Sequence, residues 1–355
     1  MRPIYVKRKK TVSASALALG AMLGAILADQ SALAQDYQIC VSWRHFQEER
    51  WRIDEAGIKS VLEPAGWTYV SADAQSDPQK QLRDIEAMLA SGCNALILLA
   101  QDSKAVLPAV AQANAEGVPV IAYDAPIDSP DVLFASFDNV AVGRLMAEAM
   151  VDVRDDGNWV LIEGDAAHPI VNIFRDGQMQ VLQPLIDSGQ IEVVAQQNIE
   201  NWKPDLAQST METILTQQSD EVDAVLAMND GMSTGVASAL ASRQMLGIPL
   251  SGQDGDHTVL NRIAKGQQTV TIWKNSNLLG QAAARAAVEL AEGKALSGVM
   301  GATTFMTESG AEQPALLLEP IAITYDNLDL VVDAGWISKD ALCNGVTENP
   351  PTACQ

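Results

Sequence analysis

At five points in this 355-residue chain a short apolar run stops on residues that can hydrogen-bond strongly. Asp124 ends VPVIAYD, Asn139 follows FASFD, and Asn229-Asp230 end AVLAMND. Gln253-Asp254 follow IPLSG, and Lys274 ends TVTIWK. Carboxylates, amides and an ammonium placed this way donate and accept hydrogen bonds, but no nucleophile is spaced with a base. No GxSxG elbow, HExxH pair, Walker loop or GxGxxG turn occurs. Asp254 and Asp256 in QDGDH hint at a metal, yet two carboxylates without further ligand spacing are a weak cation site. His45, His168 and His257 are scattered, and no His/Cys group has zinc spacing. The chemistry on offer is reversible binding without turnover, cofactor or metal. Asn139 and Asp230 have an alternative use as helix N-caps, accepting from the first free N–H groups of the next helix.

These residues need elements that bring them together. From residue 37 the chain alternates: YQICVSW before an amphipathic stretch at 48–64, TYVSA before 77–91, NALILLA before 103–115, then VPVIAYD. The rhythm restarts with FASFDN and 140–151, NWVLIEG and 172–187, IEVVAQ and 204–217, AVLAMND and a helix to about 243, and closes on QQTVTIWKN. Strands apolar throughout, separated by helices, imply parallel sheets covered on both faces. Two such doubly wound α/β units without a flexible linker predict two lobes facing across a cleft. Ligands of such sheets sit beyond the carboxyl ends of the strands, where the five polar points fall.

The first 34 residues set the compartment. Arg2, Lys7, Arg8, Lys9 and Lys10 form a basic head, ALALGAMLGAILA fills 16–28, and Ala32-Leu33-Ala34 precede Gln35. This is the pattern of a secretory signal peptide over residues 1–34, cleaved after about Ala34. The alternative, a membrane anchor, needs roughly 18 to 20 apolar residues. The whole chain carries a formal charge of −22, and removing the leader leaves 18 basic against 44 acidic side chains. That balance disfavours nucleic acid and anionic membrane surfaces as partners. Of four cysteines, Cys343 and Cys354 could close a disulfide around CNGVTENPPTAC in an oxidising compartment. Cys40 and Cys93 read as small apolar residues in or beside buried strands, unpaired.

Several stretches carry a resemblance in family order: FQEERWRIDEAG (46–57), PVIAYD (119–124), SFDNVAVG (136–143), FRDGQMQVLQPLIDSGQIEVV (174–194), ENWKPDLA (200–207), MND (228–230), SGQDGD (251–256) and TVTIWK (269–274). With these the chain resembles the sugar-binding periplasmic proteins of ABC transporters, the ribose/galactose type, and within it the xylose-binding branch. The resemblance implies two α/β lobes joined by three hinge crossings, near FASFDN, WKNSN and ESGAEQ. One lobe is expected over 36–137 plus 276–312, the other over 138–275 plus 313–355.

It also implies a monomer that binds one monosaccharide, D-xylose or a related pentose or polyol, and hands it to an inner-membrane permease. The alternative output is presentation of the ligand to a membrane sensor or chemoreceptor. Residue by residue, the implied sugar contacts are Arg50, Trp51, Asp124, Asn139, Trp202, Asn229, Asp254 and Lys274. Trp51 could instead fill the core side of its helix, and Arg50 could be a solvated partner of Glu49. Trp202 sits in the polar stretch ENWKPD, where an exposed aromatic points to a ligand. The pattern departs from the branch twice. Ala125 stands where an Arg follows the Asp of YD, and His-Pro-Ile-Val-Asn at 168–172 replaces a polar helix start. Asn172 therefore takes a position where a cation is usual, and His168 could approach the ligand or lie on the surface. A sugar-responsive repressor shares the two-lobed plan but needs a DNA-binding module and a basic face at the N-terminus.

Overall fold

The computed structural model describes residues 37–355, with Met1 and Pro3. The basic head, the apolar run and the Ala34 cleavage point lie outside the described residues. The chain from Gln38 to Gln355 opens with β1 (Gln38–Trp43), α1 (Arg50–Leu62), β2 (Thr68–Asp73), α2 (Pro78–Ala90), β3 (Ala95–Leu98), α3 (Leu107–Ala115), β4 (Val120–Tyr123) and β5 (Val132–Phe137). β3, β4 and β5 are buried along their whole length, as strands apolar on both faces must be when helices cover both. All five strands run parallel. One face packs Trp43, Tyr123 and Phe137 against α1 and a later helix, while the other packs Cys40, Leu96 and Phe134 against α2 and α3.

The second half follows with α4 (Asn139–Val151), β6 (Gly157–Glu163), α5 (Ile170–Asp187), β7 (Ile191–Asn198), α6 (Pro204–Gln217), β8 (Ala224–Ala227), α7 (Asp230–Ser242), α8 (His257–Ala264) and β9 (Val270–Trp273). β7, β6 and β8 form a parallel three-stranded sheet, extended toward β9 by single bridges at Val225–Leu250 and Gln253–Ile272. α4 and α5 pack closely on it because Gly143 and Gly177 let backbones meet. A Cβ at Gly143 would overlap the Phe174 carbonyl, and one at Gly177 the Val140 carbonyl.

The chain then returns to the first sheet through α9 (Ser276–Ala291), β10 (Thr303–Met306) and β11 (Glu312–Leu318). It ends in the second half with β12 (Ile321–Thr324), α10 (Asp329–Asp333) and α11 (Lys339–Leu342). The first sheet has the order β10-β11-β5-β4-β3-β1-β2. Three passages join the halves, after β5, after β9 and after β11. The third differs from expectation: ESGAEQ is the turn of the β10–β11 hairpin, and the chain crosses at Glu319-Pro320. Residues 313–318 belong with the first half because β11 adds in parallel to β5. β10 is an antiparallel edge on an otherwise parallel sheet, and β12 pairs antiparallel with β9 alone.

The cysteines pair differently from the reading of the sequence. Cys343 and Cys354 are bonded, with Cα atoms 5.6 Å apart. Cys40 and Cys93, expected to be free, are bonded as well, with Cα atoms 5.8 Å apart. The reason is register. β1 and β3 are neighbours with Ile39 opposite Ala95, so the turn residue Cys93 arrives beside Cys40.

Candidate functional site

The carboxyl ends of the strands in both halves converge on one cavity. Arg50 is the first residue of α1 and is 1% exposed. Its Nη1 lies 3.1 Å from Asp254 Oδ1 of the other half, and its Nε lies 3.2 Å from Asp54 Oδ2. Nη2 lies 2.9 Å from Asp124 Oδ1, a close charge pair. Lys274, just past β9, places Nζ 3.1 Å from Asp254 Oδ1 and 3.7 Å from Asp124 Oδ1. Asp124 and Asp254 adopt φ of 60° and 109°, in the region that disfavours residues with a side chain. Such strain, held at the two carboxylates nearest both cations, is characteristic of a functional site.

Around this charged centre stand polar and apolar walls. Asn229 caps α7, its Oδ1 accepting from Met232 N–H at 2.9 Å. Gln253 Oε1 is buried without a hydrogen-bond partner among the described residues. Ala125, Ile170 and Phe174 form an apolar corner, and the indoles of Trp51 and Trp202 complete the enclosure. Trp51 lies under the Arg50 guanidinium, whose Cζ is 4.4 Å from the ring centroid. Trp202 is seated over Gly164, where any Cβ would overlap the indole, and both Asn201 and Trp202 have positive φ (52° and 56°). Apolar ring faces beside fixed donors and acceptors suit a ligand rich in hydroxyls with C–H faces between them.

Burial and charge oppose one another here. Burial pushes the Asp124 carboxyl up, but the Arg50 guanidinium, then Lys274 and Arg44, outweigh it and hold it below the ordinary carboxylate range. Glu48 behaves alike: burial raises it, and Arg44 with His45 and the Trp51 N–H pull it down to about 2. Burial wins at Asp54, pushed up to about 6 although Arg50 and the Tyr123 hydroxyl oppose the rise. At Asp256 burial acts with Asp254, Glu49 and Glu48 and pushes the carboxyl up to about 8. Asp230, fully buried, is raised by burial and then by Asp256 and Asp254.

Of the residues expected from the sequence, Arg50, Trp51, Asp124, Trp202, Asn229, Asp254 and Lys274 line this cavity. Trp51 also packs in the core, and Trp202 is 4% exposed rather than the exposed aromatic expected. Arg50 is no solvated partner of Glu49, which instead faces His257. Asn139 is not on the cavity wall: its Nδ2 donates to Ser136 Oγ, which in turn donates to the Asp124 carbonyl, and Asp138 caps α4 in its place. Asp230 does not cap α7 either, since Asn229 does. Asn172 faces a separate groove with Pro126, Asp128 and Met306, and accepts from Arg175 at 3.2 Å. His168 is buried behind Trp202 rather than on the surface.

The wall holds residues that the sequence reading did not assign to it, among them Arg44, Glu48, Ile170 and Phe174. Arg44 follows YQICVSW directly, so the strand-end rule that selected Asp124 would have found it. Phe174 gave no such signal, because which face of α5 meets the cavity is settled by the α4 packing. Among the described residues no cluster of His, Cys, Asp and Glu is arranged to hold a metal ion.

With this geometry in place, the likeness to known proteins is extensive. Residues 39–295 match the periplasmic binding protein domain. A D-xylose-binding periplasmic protein of Escherichia coli (strain K12) is 34% identical over 320 residues, spanning 89% of this chain and 96% of that protein. A multiple sugar-binding periplasmic receptor of Rhizobium radiobacter is 32% identical over 317 residues, covering 82% and 88%. The solved structure of a carbohydrate transporter solute binding protein from Chloroflexus aurantiacus, in complex with D-glucose, superposes with a TM-score of 0.78 at 25% identity, covering 86% of this chain and 97% of that one.

Proposed function

The chain belongs to the periplasmic binding protein family, and we propose that it captures one monosaccharide in the cleft between its halves and delivers it to a membrane permease of an ABC importer. Members of this family bind and release their ligands and are not enzymes. The proposed ligand is D-xylose or a related pentose or polyol, in line with the relative named for D-xylose. The proposed contacts are Arg50, Trp51, Asp124, Trp202, Asn229, Asp254 and Lys274, joined by Arg44, Phe174 and Gln253. The proposed lobes are 38–137 with 276–318, and 138–275 with 319–355. Export through a leader cleaved after about Ala34 places the monomer in the periplasm. No helix among the described residues is long and apolar enough to cross a membrane.

The observation that carries this reading is the convergence of strand-end polar groups from both halves on one cavity, with Gln253 Oε1 left without a hydrogen-bond partner among the described residues. Buried polar atoms are rarely left without partners, and vicinal hydroxyls are suited to fill such positions. A neutral, hydroxyl-rich ligand also leaves the internal pairing of three cations with four carboxylates undisturbed. Bridging both halves, it favours the closed form over the open one.

A strain lacking the protein tests the output. Loss of labelled D-xylose uptake, restored by the gene in trans, supports import. Intact uptake with loss of a sugar-evoked response supports the sensor reading, which the relative named a receptor favours.

A further inference from the structure

We propose that His168 is a positioning residue for ligand binding, tying the Trp202 indole to the opposite half of the cleft as a neutral imidazole protonated on Nε2. The inference rests on the reading of the cavity as the ligand site. His168 precedes α5, is 3% exposed and does not itself line the cavity. Its Nδ1 lies 2.9 Å from Trp202 Nε1 and 3.1 Å from Arg44 Nη1, while its Nε2 lies 2.8 Å from the Gln101 carbonyl oxygen. Indole and guanidinium nitrogens only donate. Nδ1 must therefore carry a lone pair and accept from both, which leaves the proton on Nε2 to be donated to Gln101. One tautomer satisfies all three contacts.

The bridge spans the cleft. His168 and Trp202 belong to the second half, and Arg44 after β1 and Gln101 after β3 belong to the first. Asn201, next to Trp202, strengthens the same seam, its Oδ1 accepting from Gln101 Nε2 at 2.9 Å. Trp202 and Arg44 are both cavity-wall residues, so the imidazole fixes two ligand-facing groups and closure together.

Protonating Nδ1 would set an N–H against two donors and add a cation beside Arg44. The charged groups around the ring are Arg44, His45 and Glu48 from the segment after β1 and Asp165 from its own loop. Glu48 is engaged by Arg44 at 3.4 Å and by His45 at 3.2 Å. Burial, then Arg44, hold His168 down to about 4, against the pull of the Gln101 carbonyl and Asp165. When the halves part, the ring meets water and its ordinary value near 6.5 returns. Closure thus favours the neutral ring. Its contribution to affinity is complete above the open-state value and is lost as pH falls through it. Between pH 7.5 and 5.5 this single group weakens binding about tenfold.

Calorimetric titration with D-xylose at both pH values tests this in the wild type, His168→Gln and His168→Leu. Gln keeps an acceptor and a donor without titrating, whereas Leu keeps neither. The wild type should weaken about tenfold at pH 5.5. His168→Gln should bind within a few-fold at pH 7.5 and lose that dependence, and His168→Leu should be weaker at both. The same pH dependence in His168→Gln would overturn the inference, because Asp54 and Asp256 would then account for it. Wild-type affinity in His168→Leu would overturn it too. If the wild type binds no D-xylose at either pH, the ligand reading fails, and X-ray scattering decides on His168 alone. Expansion on acidification that His168→Gln abolishes supports the bridge, and identical behaviour refutes it.

Discussion

Asp254 meets both Arg50 and Lys274 from a strained backbone conformation. Asp254→Ala removes a buried charged acceptor, and the expected cost is about 3 kcal/mol of binding, over a hundredfold in the dissociation constant by calorimetry. Asp256 gives a different signal. Its folded-state value of about 8 exceeds the ordinary carboxylate value, so its bound proton stabilises the fold at low pH, and that stability is lost as pH rises toward and through 8. Asp256→Asn should therefore flatten the fall in unfolding temperature between pH 5 and 8. The slope removed is at most about 1.4 kcal/mol per pH unit. Residues of this site were legible where the strand-end rule applies, as at Asp124, Asn229, Asp254 and Lys274. Asn139 and His168 were not, because a neighbouring Asp takes the cap in one case and a tautomer-specific bridge hides the ring in the other.

Elements were read more securely than their pairing. Alternation of wholly apolar strands with amphipathic helices located nearly every strand and helix of both halves. Pairing is a long-range property, and EQPALLL could join either sheet until β5 offers it an edge. The same blindness to register hid the bond between Cys40 and Cys93. In the chain-entropy account that bond, closing 53 residues, stabilises by about 4 kcal/mol, and the Cys343–Cys354 bond, closing 11, by about 3 kcal/mol. Denaturant unfolding of the two double Cys→Ser variants should give losses in that order. The helix pair α4–α5 offers a further check. Gly177→Val drives a side chain into the Val140 carbonyl and should separate the helices, lowering stability by roughly 2–4 kcal/mol.

At the scale of the molecule, three short passages join the two halves, and the proposed ligand bridges the strand ends that face across the cleft. Sugar should therefore shift the population toward the compact form, lowering the scattering radius of the protein. The central claim is that this cavity holds one hydroxylated sugar. Calorimetric titration against D-xylose, D-ribose, L-arabinose, D-glucose, D-galactose and xylitol, run beside Asp254→Ala, tests it most directly. Saturable one-to-one binding of at least one pentose or polyol is expected, lost or weakened over a hundredfold in the variant. Silence across the panel, or binding that Asp254→Ala leaves unchanged, would contradict it.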